Sequence, residues 1–205
     1  MGHDSATNEV SMAAVEEQER VREFCAAVRA RSAEHAEAIR LLGRSRATAG
    51  VVVGILRQEL DSMVRAIFLL SRGVQERARL LEDHANGERW TTATERGRHR
   101  PVTDADMVAL AEALHGWTRS VYRFGCAFIH LSRLHAHRTT DPLSLLEADE
   151  RRDVLHHLHN YHGCPEGDEV TFDDITPFLP MVFDKIASNL DCYLRDLEAG
   201  RGLRE

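Results

Sequence analysis

The chain has 205 residues, 43% hydrophobic and 29% charged, with a formal net charge of −7. That is the length of one domain and a composition that can bury a real core. The negative balance excludes a general nucleic-acid or membrane-surface binder, but a local basic groove stays open because binding follows the field at the site and not the sum.

Residues 1–10 are polar and read as a disordered start. Ser11 to Leu42 is rich in Ala, Glu and Arg and free of Pro and Gly, so propensity alone predicts a helix. Its sparse apolar residues give it a wide wet face, and Gly43 is its stop. Thr48 to Ser71 has the cleanest periodicity. Val53, Leu56, Leu60, Met63, Ile67 and Leu70 recur at alternating spacings of three and four, and Arg57, Glu59, Asp61 and Arg65 lie outside that stripe.

A short helix is expected around Val74 to His84, then a polar linker from Asn86 to Pro101 carrying Gly87 and Gly97, read as a loop or flexible insert. Thr103, with Asp106 three residues on, predicts the start of a long helix. Its stripe runs through Leu110, Leu114, Trp117, Val121, Phe124, Phe128 and Leu131, with Gly116 as a potential kink. Asp141-Pro142 marks a fresh start. Asp149 to His162 reads as a helix closed by Gly163, Thr171 to Asp174 as a capping signal, and Pro180 to Leu197 as a last helix ended by Gly200. Strand alternation is absent, so the fold class expected is all-α, a bundle of long antiparallel helices forming a single domain over 11–205.

No apolar run approaches the ~20 residues that span a bilayer. Met1 to Val10 lacks the layout of a secretory signal, and Ala6 stands where the myristoylation pattern wants Ser or Thr. Cys25, Cys126, Cys164 and Cys192 are scattered and form no C-x-x-C pair, which fits reduced thiols. A cytoplasmic protein with no membrane partner is expected.

Chemistry is most concentrated between Tyr122 and Ser132. On a continuous helix Arg123 and His130, seven apart, fall within roughly 20° of one face and about 10 Å apart along the axis. Ala127, Gly125 and Cys126 nearby leave room for a second helix or a ligand. A histidine exchanges protons near neutrality, and a guanidinium holds phosphate at two points. Together they could cleave a phosphodiester through internal attack of a ribose 2′-hydroxyl, without metal or cofactor. In the competing reading Arg123 pairs with a carboxylate such as Glu59 or Asp61, and His130 is a satisfied border residue.

The Arg, six residues, then His resembles the R-x4-6-H motif of the HEPN superfamily. The preceding helix, Ile55 to Leu70, and the stretches Phe124 to Leu134 and Tyr161 to Tyr193 resemble uncharacterised bacterial helical proteins associated with it. The resemblance covers about residues 48–198, leaving the helix at 11–43 as an extension. It implies a homodimer whose two Arg/His pairs share one cleft, with Arg123 and His130 catalytic and Glu59 or Arg57 supporting. Many members are metal-independent ribonucleases in toxin–antitoxin, phage-defence or RNA-processing systems, so RNA and a cognate antitoxin or defence protein are the partners implied. Others are inactive and serve as RNA-binding or protein-binding dimerisation modules.

Two further clusters stand out. His156, His157, His159 and His162, followed by Cys164, could share a helix face as metal ligands, or form an exposed helix end favoured by the dipole. Arg96, Arg98, His99 and Arg100 in the linker could meet a nucleic-acid backbone, or be ordinary loop charges.

Overall fold

A computed structural model describes residues 4–43, 45–94, 97–130 and 132–203. The chain folds as an all-α bundle built around α2 (Ala49–Leu70). This helix is apolar over most of its circumference, so burying one stripe is not enough and neighbours close on it from several sides. Its most extensive partner is α8 (Leu179–Glu198), followed by α5 (Thr118–Ile129), α4 (Asp104–His115) and α1 (Asp4–Leu42). Leu60, Met63, Ile67 and Leu69 are fully buried along it. Burying each such side chain contributes about 1.5–3 kcal/mol. The chain also returns to α2 at its far end, where the Leu203 amide donates to the Leu70 carbonyl.

The wrapping of α2 changes the reading of its charged residues. Arg57 and Glu59, expected outside the stripe on a wet face, are both buried. They lie two positions apart, about 200° around the helix, and reach different neighbours. α1 begins at Asp4, not at Ser11, so the polar residues from Asp4 onward belong to the helix. It ends where expected, with the Gly43 amide bonded to the Ile39 carbonyl. Against α8 it is clamped by Arg29, whose guanidinium donates to both carboxylate oxygens of Glu198 at 2.5 and 2.9 Å.

α3 (Val74–Ala85) follows α2 directly. The segment expected to be a loop then forms a small antiparallel hairpin, β1 (Thr91–Ala93) with β2 (His99–Pro101). Trp90 at its base is buried and stacks on Phe68 of α2, with Arg65 over its indole. That anchor, together with Arg79 Nη2 donating to the Thr91 carbonyl at 2.6 Å, gives the polar segment a fixed shape. α4 starts with the expected capping box, Thr103 and Asp106 bonding reciprocally.

α6 (Ala148–His162) closes on Gly163, which takes the left-handed conformation at φ 71°. The four-residue α7 (Phe172–Ile175) carries the Thr171/Asp174 capping box, and a 3-10 turn leads into α8 with Pro180 in its first turn. Among the described residues no helix is long and apolar enough to cross a membrane.

The four cysteines sort by burial. Cys25 and Cys164 are buried, Cys126 is half-buried and Cys192 is exposed on α8. Burial, with Glu198 alongside, pushes the Cys25 thiol up to about 12. Since the thiolate is the reactive form, a thiol reagent added to native protein at pH 8 is expected to label Cys192 quickly and Cys126 slowly. Cys25 and Cys164 should react only after denaturation, which mass spectrometry of the labelled peptides checks. Rapid labelling of Cys25 in folded protein would contradict the α1–α8 packing.

Candidate functional site

The helix expected to carry Arg123 and His130 is divided twice. Gly116 ends α4 in a left-handed conformation at φ 71°, where a residue with a Cβ would be strained. α5 starts afresh at Thr118. Its first turn is satisfied by Glu112 from the helix before, whose carboxylate accepts from Thr118 Oγ1 at 2.9 Å and from the Arg119 amide at 2.8 Å. At the other end α5 stops at Ile129, and His130 is its C-cap in extended conformation, φ −98° and ψ 141°. Ser132 turns the chain there. Its hydroxyl donates to the Ala127 carbonyl at 2.6 Å and accepts from the Leu134 amide, opening the 3-10 turn Arg133–Ala136.

Arg123 and His130 therefore do not share one face of one helix. Helical spacing would have aligned them, but the extended backbone at His130 carries its ring off the stripe. Both are exposed. Arg123 leans toward α6, its Nη1 3.6 Å from Glu150 Oε1, with 60% of its side chain accessible. The carboxylate partner expected for it on α2 is instead supplied by α6.

The two supporting residues sit elsewhere. Glu59 is completely buried and faces α1, where it accepts from Ser32 Oγ at 2.5 Å and lies 2.7 Å from His35 Nδ1. It cannot orient a group on α5. Arg57 does lie under α5, with its guanidinium 4.0 Å over the Tyr122 ring, Nε 3.4 Å from Cys126 Sγ and Nη2 3.0 Å from Asp104. These contacts hold it in the interhelical packing and away from Arg123.

Between α5 and α6 runs a groove of about 1,100 Å³ that includes Arg119 and Arg123. Glu112, Asp149, Glu150 and Asp153 line it too, so carboxylates outnumber guanidiniums four to two. A polyanion gains little from such a groove taken alone. Near the end of α5 the surface is different. Val51 and Ile129 are 56% and 44% exposed, and between them Gly54 leaves α2 bare, a Cβ there falling 3.7 Å from Ile129 Cγ2. His130 borders this apolar patch.

The other histidines disperse. His156 bonds to Asn160, and His159 Nδ1 lies 2.8 Å from the Cys164 carbonyl. His157 and His162 turn toward the bundle. Among the described residues no group of three or more His, Cys, Asp or Glu side chains converges as a metal set. His137, expected on the Arg123 stripe, packs against Phe128 and Phe172. Of the basic linker cluster, Arg98, His99 and Arg100 are exposed on the hairpin, with Arg100 held by Asp106, and Arg96 lies outside the described residues.

One feature was not legible as a site in the sequence. α5, α6 and α8 part to form an apolar cleft of about 620 Å³ whose mouth carries Trp117, Tyr161, His162 and Lys185. The available signal was that Lys185 is the only lysine of the chain. Comparison with models of known protein families, with curated proteins and with solved structures found no match.

Proposed function

We propose that the protein is a HEPN-like helical module that acts on RNA as a homodimer, with His130 as general acid/base and Arg123 as the phosphate clamp. The observation that supports this most is the exposure of both side chains on the α5 segment, with His130 at the edge of the apolar Val51–Ile129 patch. A second copy seated on that patch would bring a second Arg/His pair to the same cleft, adding the cationic field that one acid-lined groove lacks. His130 would take the proton of a ribose 2′-hydroxyl as its oxygen attacks phosphorus, and Arg123, released from Glu150, would hold the charge that develops on the phosphoryl oxygens. The second histidine would protonate the departing 5′-oxygen, leaving a 2′,3′-cyclic phosphate. In this reading the protein works in the cytoplasm under the control of a cognate antitoxin or defence partner.

A second reading, a non-catalytic module that binds RNA or protein, is favoured by the Arg123–Glu150 pair and by the four carboxylates of the groove. Cleavage of labelled total RNA in EDTA separates the two. Under the catalytic reading, wild type leaves cyclic-phosphate ends, and His130→Ala loses about 100-fold or more in rate. No cleavage by a folded, dimeric wild type would leave the binding module.

A further inference from the structure

The cleft between α5, α6 and α8 has a composition at odds with the rest of the surface. Its walls are Val53, Leu56, Phe124, Leu158, Ile175 and Val182, and no Asp or Glu lines it, although the chain as a whole carries a net charge of −7. At its mouth stands the sole ammonium group of the sequence. Lys185 Nζ lies 3.9 Å from the centroid of the Tyr161 ring and 5.9 Å from that of Trp117. Among the described residues Lys185 makes no salt bridge, while the neighbouring Arg123, His159 and Arg195 each have a carboxylate. The two aromatic faces steady the cation without neutralising it.

Two histidines complete the mouth, and both are held neutral near pH 7. Burial pushes His162 down, and the Lys185 charge adds to this. Burial likewise pushes His157 down, with His156 contributing. A neutral imidazole offers one N–H donor, so these rings can complete the hydrogen bonding of a bound acceptor. A net +1 charge with neutral donors at the rim of an apolar cleft is complementary to a molecule with an apolar body and one negative end. The volume falls in the ordinary range for small-molecule sites, about 300–1,000 Å³.

We infer that this cleft binds a small amphipathic monocarboxylate, with a flat apolar body between α5 and α8 and the carboxylate on Lys185. No bond is made or broken, so the site is one of recognition. Lys185 supplies the charge-assisted hydrogen bond, and Trp117 and Phe124 supply the face on which a ring would lie. The site is separate from Arg123 and His130 and does not depend on their chemistry.

Calorimetric titration of the full chain with 2-naphthoate tests it, using 2-naphthalenemethanol as the uncharged counterpart. Saturable binding of the naphthoate below about 1 mM is expected, with the alcohol at least about ten-fold weaker. Lys185→Met should lose about the same ten-fold, and Lys185→Arg should stay within a few-fold of wild type. Equal affinity for acid and alcohol, unchanged affinity in Lys185→Met, or no saturable binding by folded wild type would each overturn the proposal. The acid–alcohol comparison is made on wild type and decides even where Lys185→Met fails to fold. His130→Ala should bind the naphthoate as wild type does, so loss of the ribonuclease reading and loss of this one are told apart.

Discussion

Glu59→Ala is expected to lower the unfolding free energy by about 3 kcal/mol, because removing one member of a buried polar pair strands the others. The carboxylate is wholly inaccessible and joins two helices through Ser32 and His35. Alanine leaves a hydroxyl and an imidazole facing a gap on the α1–α2 seam, with no water-accessible route to new partners. For a chain of this size each kcal/mol moves the melting temperature by about 2–4 °C, so a drop of roughly 6–12 °C should appear in thermal unfolding. Glu59→Gln keeps the shape and one acceptor oxygen and should lose less than half as much. Replacing all three polar groups by apolar residues of similar volume should recover most of the loss, since desolvating a polar set costs nearly what its internal bonds return. If Glu59→Ala melts with wild type, the α1 contact is not formed in solution.

The second large effect is at Gly125, where α5 crosses α2 at close range. A Cβ there would stand 2.6 Å from Arg57 Cβ and 3.2 Å from its Cγ. The obstacle is the root of the arginine side chain and cannot swing aside, and the far end is held by Asp104 and the Tyr122 ring. Alanine would gain about 1 kcal/mol of helix propensity. The overpacking should outweigh that, since forcing a packed interface apart costs typically 1–3 kcal/mol. Gly125→Ala is therefore expected to be destabilised by about 1–2 kcal/mol net, and Gly125→Val considerably more. Urea unfolding of Gly125→Ala, Arg57→Gly and the double variant closes a cycle. Arg57→Gly removes the obstructing Cβ, so the alanine should cost clearly less in that background. Equal costs in both backgrounds would show that the two helices do not approach as described.

Much of the architecture could be read from the sequence, because helical periodicity and capping are local. The stripe from Val53 to Leu70, the Thr103/Asp106 box and the Gly163 stop are all written within a few residues and appear where expected. The hairpin escaped because strands of three residues are too short to alternate, and its stability comes from Trp90 stacking on a distant helix. The end of α5 escaped for a related reason. Apolar spacing continues past Ile129 through Leu134, so the stripe hides a turn that the Ser132 hydroxyl imposes. Most telling is α2, where an amphipathic reading placed Arg57 and Glu59 in water. Burial of a charge depends on partners from other helices, here Asp104, Cys126, Ser32 and His35, and no spacing rule within one helix can supply them. The Arg123/His130 pairing failed as geometry because it assumed an unbroken helix, while each residue's exposure leaves its chemistry open to test.

The central place of α2 has a further consequence for how the chain comes into being. Its most extensive partner, α8, opens at Leu179, 109 residues after α2 closes at Leu70. At ribosomal speeds of about 5–20 residues per second, roughly 5–20 s separate the emergence of the two. Throughout that interval the most apolar helix of the protein has only α1, and later α4 and α5, to lie against. Nascent chains paused before residue 179 should therefore be the species that molecular chaperones hold and that aggregates when they are scarce, whatever the finished bundle's stability.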